Sequence, residues 1–268
     1  MNSAKIGIDA RLLAYRRGGI ASYTHQLITA LATLDVHNRY MILQRPNDDK
    51  SYTPSENFQR VNCYTPAHHR LERWALSLEL LPRRLDLLHS PDFIPPQWGA
   101  KRHVITIHDL HFLYYPDFQT IDSLRFYRDQ IMWATKHADH ILAQTQSTKN
   151  DIVEHLNVPP SKITVHLLGV NTAFRPLPTD EVTATLQEFG LSKGYILFVG
   201  TIEPRKNILG LLAAYDQLCA QYKDLPPLVL AGQLGWNADA LVEAIAARPA
   251  IKWLPDIDMN ALLALYNG

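Results

Sequence analysis

The chain has 268 residues, and 47% of them are hydrophobic, so it is long enough for one large domain or two ordinary ones with packed cores. Its 26 basic and 26 acidic residues cancel, which argues against general affinity for nucleic acid or for an anionic membrane. The sequence starts without a signal-peptide apolar region, and no window approaches the ~20 apolar residues of a membrane span. Cys63 and Cys219 have no metal or redox spacing, and we interpret them as buried free thiols in a reducing cytoplasm.

Short β-rich runs alternate with amphipathic helical patterns through the first part of the chain. Such alternation is typical of parallel sheets that helices cover. We predict strands over residues 5–11, 40–44, 58–64, 85–89, 104–108, 140–144 and 163–170, and helices over 20–34, 71–81, 120–138 and 147–156, the last with Ser147 as its N-cap.

A proline-bearing segment with a helical piece follows, and the alternation then resumes. We predict strands over 195–199, 228–231 and 251–254, and helices over 207–220, 238–247 and 259–266. The pattern predicts an α/β protein of two doubly wound parallel-sheet domains, with a first domain over 1–172, a connection over 173–192 and a second domain over 193–268. The second block has about 75 residues where about 100–150 are usual, so we expect it to be incomplete and the chain to be a fragment.

Ligands of parallel α/β sheets bind beyond the carboxyl ends of the strands. Gly18 and Gly19 come after the first strand and directly before the first helix, where backbone N–H groups are free and glycine allows close approach. Arg16 and Arg17 add positive charge there. An anion site and a flexible turn that merely needs glycine both fit this pattern.

His108 and Asp109 stand at the end of the predicted strand 104–108. A histidine there could bind a sugar or phosphate, take part in acid–base chemistry, or simply cap the strand by a hydrogen bond. His108, Asp109 and His111 do not have convincing metal-ligand spacing, and no other cluster completes such a site.

Arg205 and Lys206 lie between the predicted strand 195–199 and the next helix, with Asn207 as its predicted N-cap. Helix N-termini favour acidic side chains, so two cations there call for an explanation. A bound anion would explain them, and a solvated pair balanced by Glu203 is the other interpretation.

A second acidic motif, Asp256-Ile-Asp258, has the Asp-x-Asp form of a metal–nucleotide site. It precedes a predicted helix, however, and there Asp258 fits an ordinary N-cap. We therefore predict no metal site at this motif.

Four segments resemble retaining glycosyltransferases of family 4, which have two Rossmann-like domains of the GT-B type. They are GIDARLLAYRRGGIASYTHQLITAL, VITIHDLHFLYYPD, GVNTAFRP and ILFVGTIEPRKNILGLLAAY. The resemblance covers essentially the whole chain and is nearest to bacterial mannosyltransferase-like members that build polysaccharide and lipopolysaccharide.

The resemblance implies roles for the candidate residues. The first domain would bind the acceptor, a glycan or glycolipid, and the second the nucleotide sugar. Arg205 and Lys206 would contact the donor diphosphate together with Thr201, and Gly18 and Gly19 would close over it. His108 would lie near the transferred sugar. His108, Arg205 and Lys206 are thus the implied catalytic residues, with no metal and no cofactor.

Departures from the family pattern qualify this interpretation. Family members carry a Glu-x7-Glu element later in the second domain, and none follows Arg205 here. We therefore expect the chain by itself to be inactive or nearly so. Asn171 also stands where the family more often has an aspartate.

Three matters stay open on the sequence alone. The fold also serves sugar-nucleotide epimerases and phosphorylases, and a fragment could act as a non-enzymatic binding module. The sugar, the nucleotide base and the acceptor are not specified. Lipid-linked acceptors would fit a cytoplasmic enzyme at the inner membrane face, and the segment 64–74 is interpreted either as a membrane-facing surface or, preferably, as a solvated helix.

Overall fold

The computed structural model describes residues 3–14, 18–115 and 121–268, which form two compact units, Met1–Gly169 and Val170–Gly268. Each unit is built on a parallel β-sheet covered by helices, so the predicted α/β fold class is confirmed. The segment 173–192, interpreted as a connection, contains a helix over Thr179–Glu188 whose apolar side chains pack inside the second unit.

The described residues of unit 1 form a seven-stranded sheet. Its strands are β1 (Lys5–Asp9), β2 (Arg39–Gln44), β3 (Phe58–Asn62), β4 (Leu85–Ser90), β5 (Ala100–Ile107), β6 (His140–Ala143) and β7 (Ile163–Val165). The helices are α1 (Gly19–Leu34), α2 (Glu72–Leu80), α3 (His111–Tyr114), α4 (Ile121–His137) and α5 (Gln146–Leu156), with 3₁₀ turns at Arg11–Ala14, Leu81–Arg83 and Pro160–Lys162.

The strand order is β3-β2-β1-β4-β5-β6-β7. β2 and β3 are therefore added on one side of β1 and β4 to β7 on the other, so the strand order reverses between β1 and β4. Alternate side chains of these strands supply two cores. Ile8 and Ile42 pack with Ile28 of α1 on one face, while Leu43 packs with Leu76 of α2 on the other. The helices α1 and α2 therefore cover opposite faces, and the carboxyl ends of β1 and β4 form the crevice where such folds bind ligands.

Unit 2 has a smaller sheet with the strand order β10-β9-β8. Its strands are β8 (Ile196–Val199), β9 (Leu228–Ala231) and β10 (Ile251–Leu254), and its helices are α6 (Thr179–Glu188), α7 (Ile208–Gln221), α8 (Asp239–Ala246) and α9 (Met259–Asn267). Leu212 of α7 and Leu241 of α8 pack on one face, and Leu186 of α6 and Leu265 of α9 on the other. Both faces of the central strand β9 are therefore buried, in agreement with its unbroken apolar sequence.

The structure corrects several local predictions. Thr145, not Ser147, caps α5, because its side chain accepts the Thr148 N–H at 3.0 Å. The strand predicted to reach Val170 ends at Val165. Cys63 is buried as predicted, but Cys219 is exposed. Asp258 caps α9 as predicted, accepting the Ala261 N–H at 2.8 Å. Among the described residues, no helix has the length and apolarity needed to cross a membrane.

Candidate functional site

The loop after β8 carries three of the candidate residues. Thr201 is exposed, and Arg205 and Lys206 lie on a 3₁₀ turn, Pro204–Lys206, which ends before α7 begins. Asn207 separates this turn from α7 with a left-handed backbone, φ 51°, and its side chain makes no capping hydrogen bond. The two cations thus stand just outside the α7 N-terminus, which has no acidic residue in its first turn.

Glu203 fixes one of the two cations. Its Oε1 accepts hydrogen bonds from Nε and Nη2 of Arg205, at 2.9 and 2.6 Å. The Glu203 side chain is 10% exposed and the Arg205 side chain 34%, so the carboxylate lies beneath the guanidinium. Lys206 is exposed, and among the described residues it has no ion pair. The balancing role of Glu203 therefore holds for Arg205 alone, and Lys206 keeps its three donors for a ligand.

A second loop, which the sequence interpretation missed, lies against the first. The Ile202 N–H donates to Gln233 O and the Gly235 N–H to Ile202 O, each at 2.9 Å. A Cβ on Gly232 would sit 2.1 Å from Gly200 O, so this approach requires glycine there. The Gly-x-x-Gly spacing at the carboxyl end of a buried strand was the signal that could have predicted this neighbour.

Gly18 and Gly19 lie at the start of α1 in unit 1. The helix has no side-chain N-cap and no acidic residue in its first turn. A Cβ on either glycine would meet no atom within 4 Å, so the packing of the described residues does not account for glycine at these positions. Arg16 and Arg17, which were expected to add charge, lie outside the described residues.

His108 follows β5 and has partners at both ring nitrogens. Its Nε2–H donates to Pro91 O at 2.7 Å, and its Nδ1 accepts from the side-chain amide of Gln144. In this arrangement Nε2 of His108 carries the hydrogen and Nδ1 is the acceptor. The ring also makes an edge contact with Tyr23 of α1, at 5.1 Å between centroids. The sequence-predicted histidine is therefore linked to the helix that begins at the paired glycines.

Tyr23 joins His108 to a polar cluster at the carboxyl ends of β4, β5 and β7, which the sequence interpretation did not identify. The Tyr23 hydroxyl lies 3.3 Å from both Thr106 Oγ1 and His166 Nε2, and Thr106 Oγ1 lies 2.8 Å from His89 Nε2. Burial, with further contributions from His166 and His108, lowers the pKa of His89 to about 4. Burial also lowers the pKa of His166 and raises that of Tyr23. The cluster is thus uncharged at neutral pH.

Acidification is expected to destabilise unit 1 through His89. An ordinary pKa of 6.5 falls to about 4 in the folded state, so the unfolded state binds the additional proton between these values. Stability contributed by neutral His89 is therefore complete above about pH 6.5 and is lost as the pH falls toward about 4, by up to about 3 kcal/mol.

The His89→Gln variant keeps a hydrogen-bonding side chain beside Thr106 but does not titrate. Its unfolding free energy in urea should fall less steeply with acidification than that of the unchanged protein. His103, whose pKa burial also lowers to about 4, still contributes to the slope in both proteins. Identical slopes in the two proteins would contradict the assignment to His89.

Metal ligands are not assembled around His108. Within the described ranges, no three histidine, cysteine or carboxylate side chains are grouped as a metal ion would require. Asp258, from the Asp-x-Asp motif, uses its carboxylate as the cap of α9. Whether a metal ion takes part in the reaction stays a prediction.

A buried ion cluster supports the carboxyl end of β1. Arg11 is fully buried, and its guanidinium binds Asp9 at 2.6 Å and also pairs with Glu72 of α2. It further donates to Thr65 O at 2.8 Å. Burial alone would lower the pKa of Arg11, but the two carboxylates raise it above its ordinary value. The cluster links α2 to the carboxyl end of β1. In sequence, Arg11 precedes the paired glycines Gly18 and Gly19 by a few residues.

The fold and the candidate site define a class of protein. Two parallel-sheet units, with a cation-bearing loop at the carboxyl end of a strand in the second, form a two-domain α/β protein of the GT-B type. The solved structure of HepE from Anabaena in complex with UDP-glucose has this fold, with a TM-score of 0.68 and 14% identity over 98% of this chain and 71% of HepE.

The sequence comparison identifies the family. The Glycosyltransferase Family 4 model matches residues 17–174, more than half of the chain, and the chain belongs to this family. It is 28% identical to O-antigen chain mannosyltransferase B of Escherichia coli, over 97% of this chain and 74% of that protein. It is 24% identical to the serotype-specific mannosyltransferase WbdA of E. coli, over 94% of this chain and 36% of that longer protein. These relatives identify a glycosyltransferase.

Proposed function

We propose that the protein transfers a hexose, with mannose as the first candidate, from a nucleoside-diphosphate sugar to a saccharide or lipid-linked saccharide. The transfer would serve the synthesis of a polysaccharide of the O-antigen or lipopolysaccharide type. Two relatives named as mannosyltransferases support the choice of sugar. The complex of HepE with UDP-glucose supports a nucleotide sugar as donor.

The loop after β8 is the observation that carries the proposal. Lys206 is exposed and unpaired among the described residues, and Arg205 is held beside it by Glu203. Both stand next to the α7 N-terminus, whose free N–H groups and partial positive charge favour an anion. A diphosphate bound here would meet two cations and a helix terminus, and Thr201 would add a hydroxyl from the same loop.

Unit 1 is proposed to bind the acceptor and to cover the diphosphate. The described residues leave space beside Gly18 and Gly19, and α1 has no side-chain N-cap among them. Both observations support a second anion contact from this unit. His108 would act near the transferred sugar. Its ring nitrogens already have protein partners, so a contact with sugar requires exchange of one of these hydrogen bonds.

The proposed reaction retains the configuration at the anomeric carbon. The acceptor oxygen attacks that carbon from the face of the leaving group, its bond forms as the bond to the diphosphate oxygen breaks, and the proton passes to a diphosphate oxygen. Negative charge grows on the leaving group, and preplaced cations stabilise it more in the transition state than in the ground state. In this mechanism Arg205 and Lys206 carry out the charge stabilisation, without a metal ion or other cofactor.

We also place the protein in the cytoplasm, with peripheral association at the inner face of the cell membrane. A lipid-linked acceptor exposes its growing saccharide at that surface, so an enzyme that docks there meets its acceptor directly.

The direct test incubates the full-length gene product with GDP- and UDP-linked hexoses, with and without a saccharide acceptor. We expect release of nucleoside diphosphate that depends on the acceptor, and a product with the anomeric configuration of the donor. Conversion of the sugar without acceptor would indicate an epimerase and contradict the proposal.

Side chains at the paired glycines should interfere with transfer and not with folding. Because a Cβ at Gly18 or Gly19 meets no atom of the described residues within 4 Å, the Gly18→Val and Gly19→Leu variants should unfold at nearly the same urea concentration as the unchanged protein. Transfer should fall by about tenfold or more if a bound diphosphate occupies this space. Gly169→Leu, at another position with an empty surrounding, is the control and should keep its activity.

A further inference from the structure

The outer face of α2 is apolar although it faces solvent. Leu76 and Leu80 of this helix pack against the sheet. On the opposite side, four large apolar side chains are spaced three, four and three residues apart. They are Leu71, Trp74, Leu78 and Leu81, with exposed fractions of 58%, 47%, 61% and 52%. We call these four residues the α2 outer face. Trp74 and Leu78 lie within α2, Leu71 directly before it and Leu81 in the 3₁₀ turn that follows, and their spacing continues one stripe of the helix.

The charges around this stripe are positive. Arg70 lies before the helix, and Arg83 and Arg84 lie after it, and all three are exposed. None of them has an ion pair among the described residues. The chain's zero net charge does not reveal this local imbalance.

The two carboxylates of α2 point away from the stripe. Glu72 is buried against Arg11, and Glu79 accepts the backbone N–H groups of Tyr64 and Thr65, at 2.7 and 2.8 Å. Both are therefore used inside unit 1, and the exposed cations at the two ends of the helix lack a counter-charge on this face.

We propose that the α2 outer face docks unit 1 on an anionic lipid surface. Leucine and tryptophan side chains enter the boundary between headgroups and acyl chains, and the arginines bind the phosphate groups of the lipids. This proposal takes the membrane-facing interpretation, where the sequence alone favoured a solvated helix over 64–74. The inference names the surface for the proposed membrane association, and it rests on the proposed function for its biological role.

A second copy of the chain fits this face less well. In a two-fold symmetric dimer the same patch meets itself, so Arg70, Arg83 and Arg84 would be brought near their own copies. No exposed carboxylate of α2 is available to compensate that repulsion, because Glu72 and Glu79 are bound inside unit 1. An anionic lipid surface supplies the missing negative charge.

The test measures co-sedimentation of the 268-residue chain with vesicles, without any sugar substrate. Binding is expected to vesicles of phosphatidylcholine mixed with phosphatidylglycerol and to be much weaker with phosphatidylcholine alone. Leu78→Glu should lower the affinity about tenfold or more. Leu34→Glu is the matched control, since Leu34 is 81% exposed at the end of α1 on the opposite face, and it should bind like the unchanged chain.

A second variant tests the electrostatic part. Arg83→Ser with Arg84→Ser should weaken binding about fivefold for each arginine removed, and added salt should reduce the difference. Unfolding curves of each variant verify that the fold is kept.

The proposal is overturned if the unchanged chain does not bind anionic vesicles, or if Leu34→Glu weakens binding as much as Leu78→Glu. It is also overturned if size measurements without lipid show a dimer that Leu78→Glu dissociates while vesicle binding stays absent. Transfer to a soluble acceptor does not depend on this surface, so failure here leaves the proposed sugar transfer testable by itself.

Discussion

Replacing Arg205 and Lys206 together by alanine is expected to lower kcat/KM for sugar transfer by the full-length protein about 10²- to 10⁴-fold. Each cation should make a charge-assisted hydrogen bond to the leaving diphosphate, worth about 1.5–3 kcal/mol. These contacts strengthen as negative charge grows on the leaving group, so kcat should fall more than KM rises. The measurement is a steady-state assay of nucleoside diphosphate release.

A control variant and a variant of Glu203 sharpen this prediction. Lys223→Ala removes an exposed lysine that lies before the amino end of β9, whereas Arg205 and Lys206 follow the carboxyl end of β8, and it should leave turnover unchanged. Glu203→Gln should act through Arg205, because Oε1 of Glu203 holds that guanidinium, and it should have no effect in an Arg205→Ala background. Unchanged turnover in the double alanine variant would exclude the assignment of these residues.

The second large effect is on stability. Arg11→Met removes the guanidinium that pairs with both Asp9 and Glu72, and is expected to lower the unfolding free energy by about 3–5 kcal/mol. Burial already raises the pKa of Glu72, so its carboxylate is poorly solvated and depends on this partner. Urea denaturation measures the change.

An exposed ion pair supplies the control for this variant. Arg102→Ala breaks a pair with Asp139 in which the arginine side chain is 71% exposed, and should cost less than about 1 kcal/mol. Adding Glu72→Gln to Arg11→Met should restore part of the lost stability, because it removes an unpaired buried charge. Equal losses for Arg11→Met and Arg102→Ala would contradict the ion-cluster account.

Hydrophobic periodicity predicted the elements of the fold, because each strand and helix must bury one face. The predicted ranges 228–231 and 251–254 coincide with β9 and β10, and 20–34 differs from α1 by one residue. The short 3₁₀ turn over Arg11–Ala14 was not predicted, since a turn of four residues has too few positions to show a period.

The candidate site was predictable only in part. Arg205 and His108 were predicted because charged or titratable residues after a parallel strand lie where such folds bind ligands. The orientation of their side chains depends on contacts that the sequence does not show. The sequence indicated Glu203 as a neighbouring charge but not its burial beneath Arg205. That burial follows from packing against the loop at Gly235, where an added Cβ would lie 2.9 Å from Glu203 Cβ. The cluster around Tyr23 joins residues up to 143 positions apart, which no local spacing reveals.

The outer face of α2 illustrates a different difficulty. The sequence around Trp74 contains both charged and apolar residues, which is compatible with a solvated helix. Only the structure shows that Glu72 and Glu79 turn inward while Leu78 remains 61% exposed. The sign of a local surface charge therefore depends on which carboxylates are buried or hydrogen-bonded within the fold.

The central claim is that the loop after β8 binds the diphosphate of a nucleotide sugar. Calorimetric titration of the 268-residue chain with nucleoside diphosphates and the matching monophosphates tests it most directly. We expect the diphosphate to bind at least about tenfold more tightly, and the difference to vanish in the Arg205→Ala, Lys206→Ala double variant but persist in Lys223→Ala. Equal affinity for diphosphate and monophosphate, or a preference that survives the loss of both cations, would contradict the account.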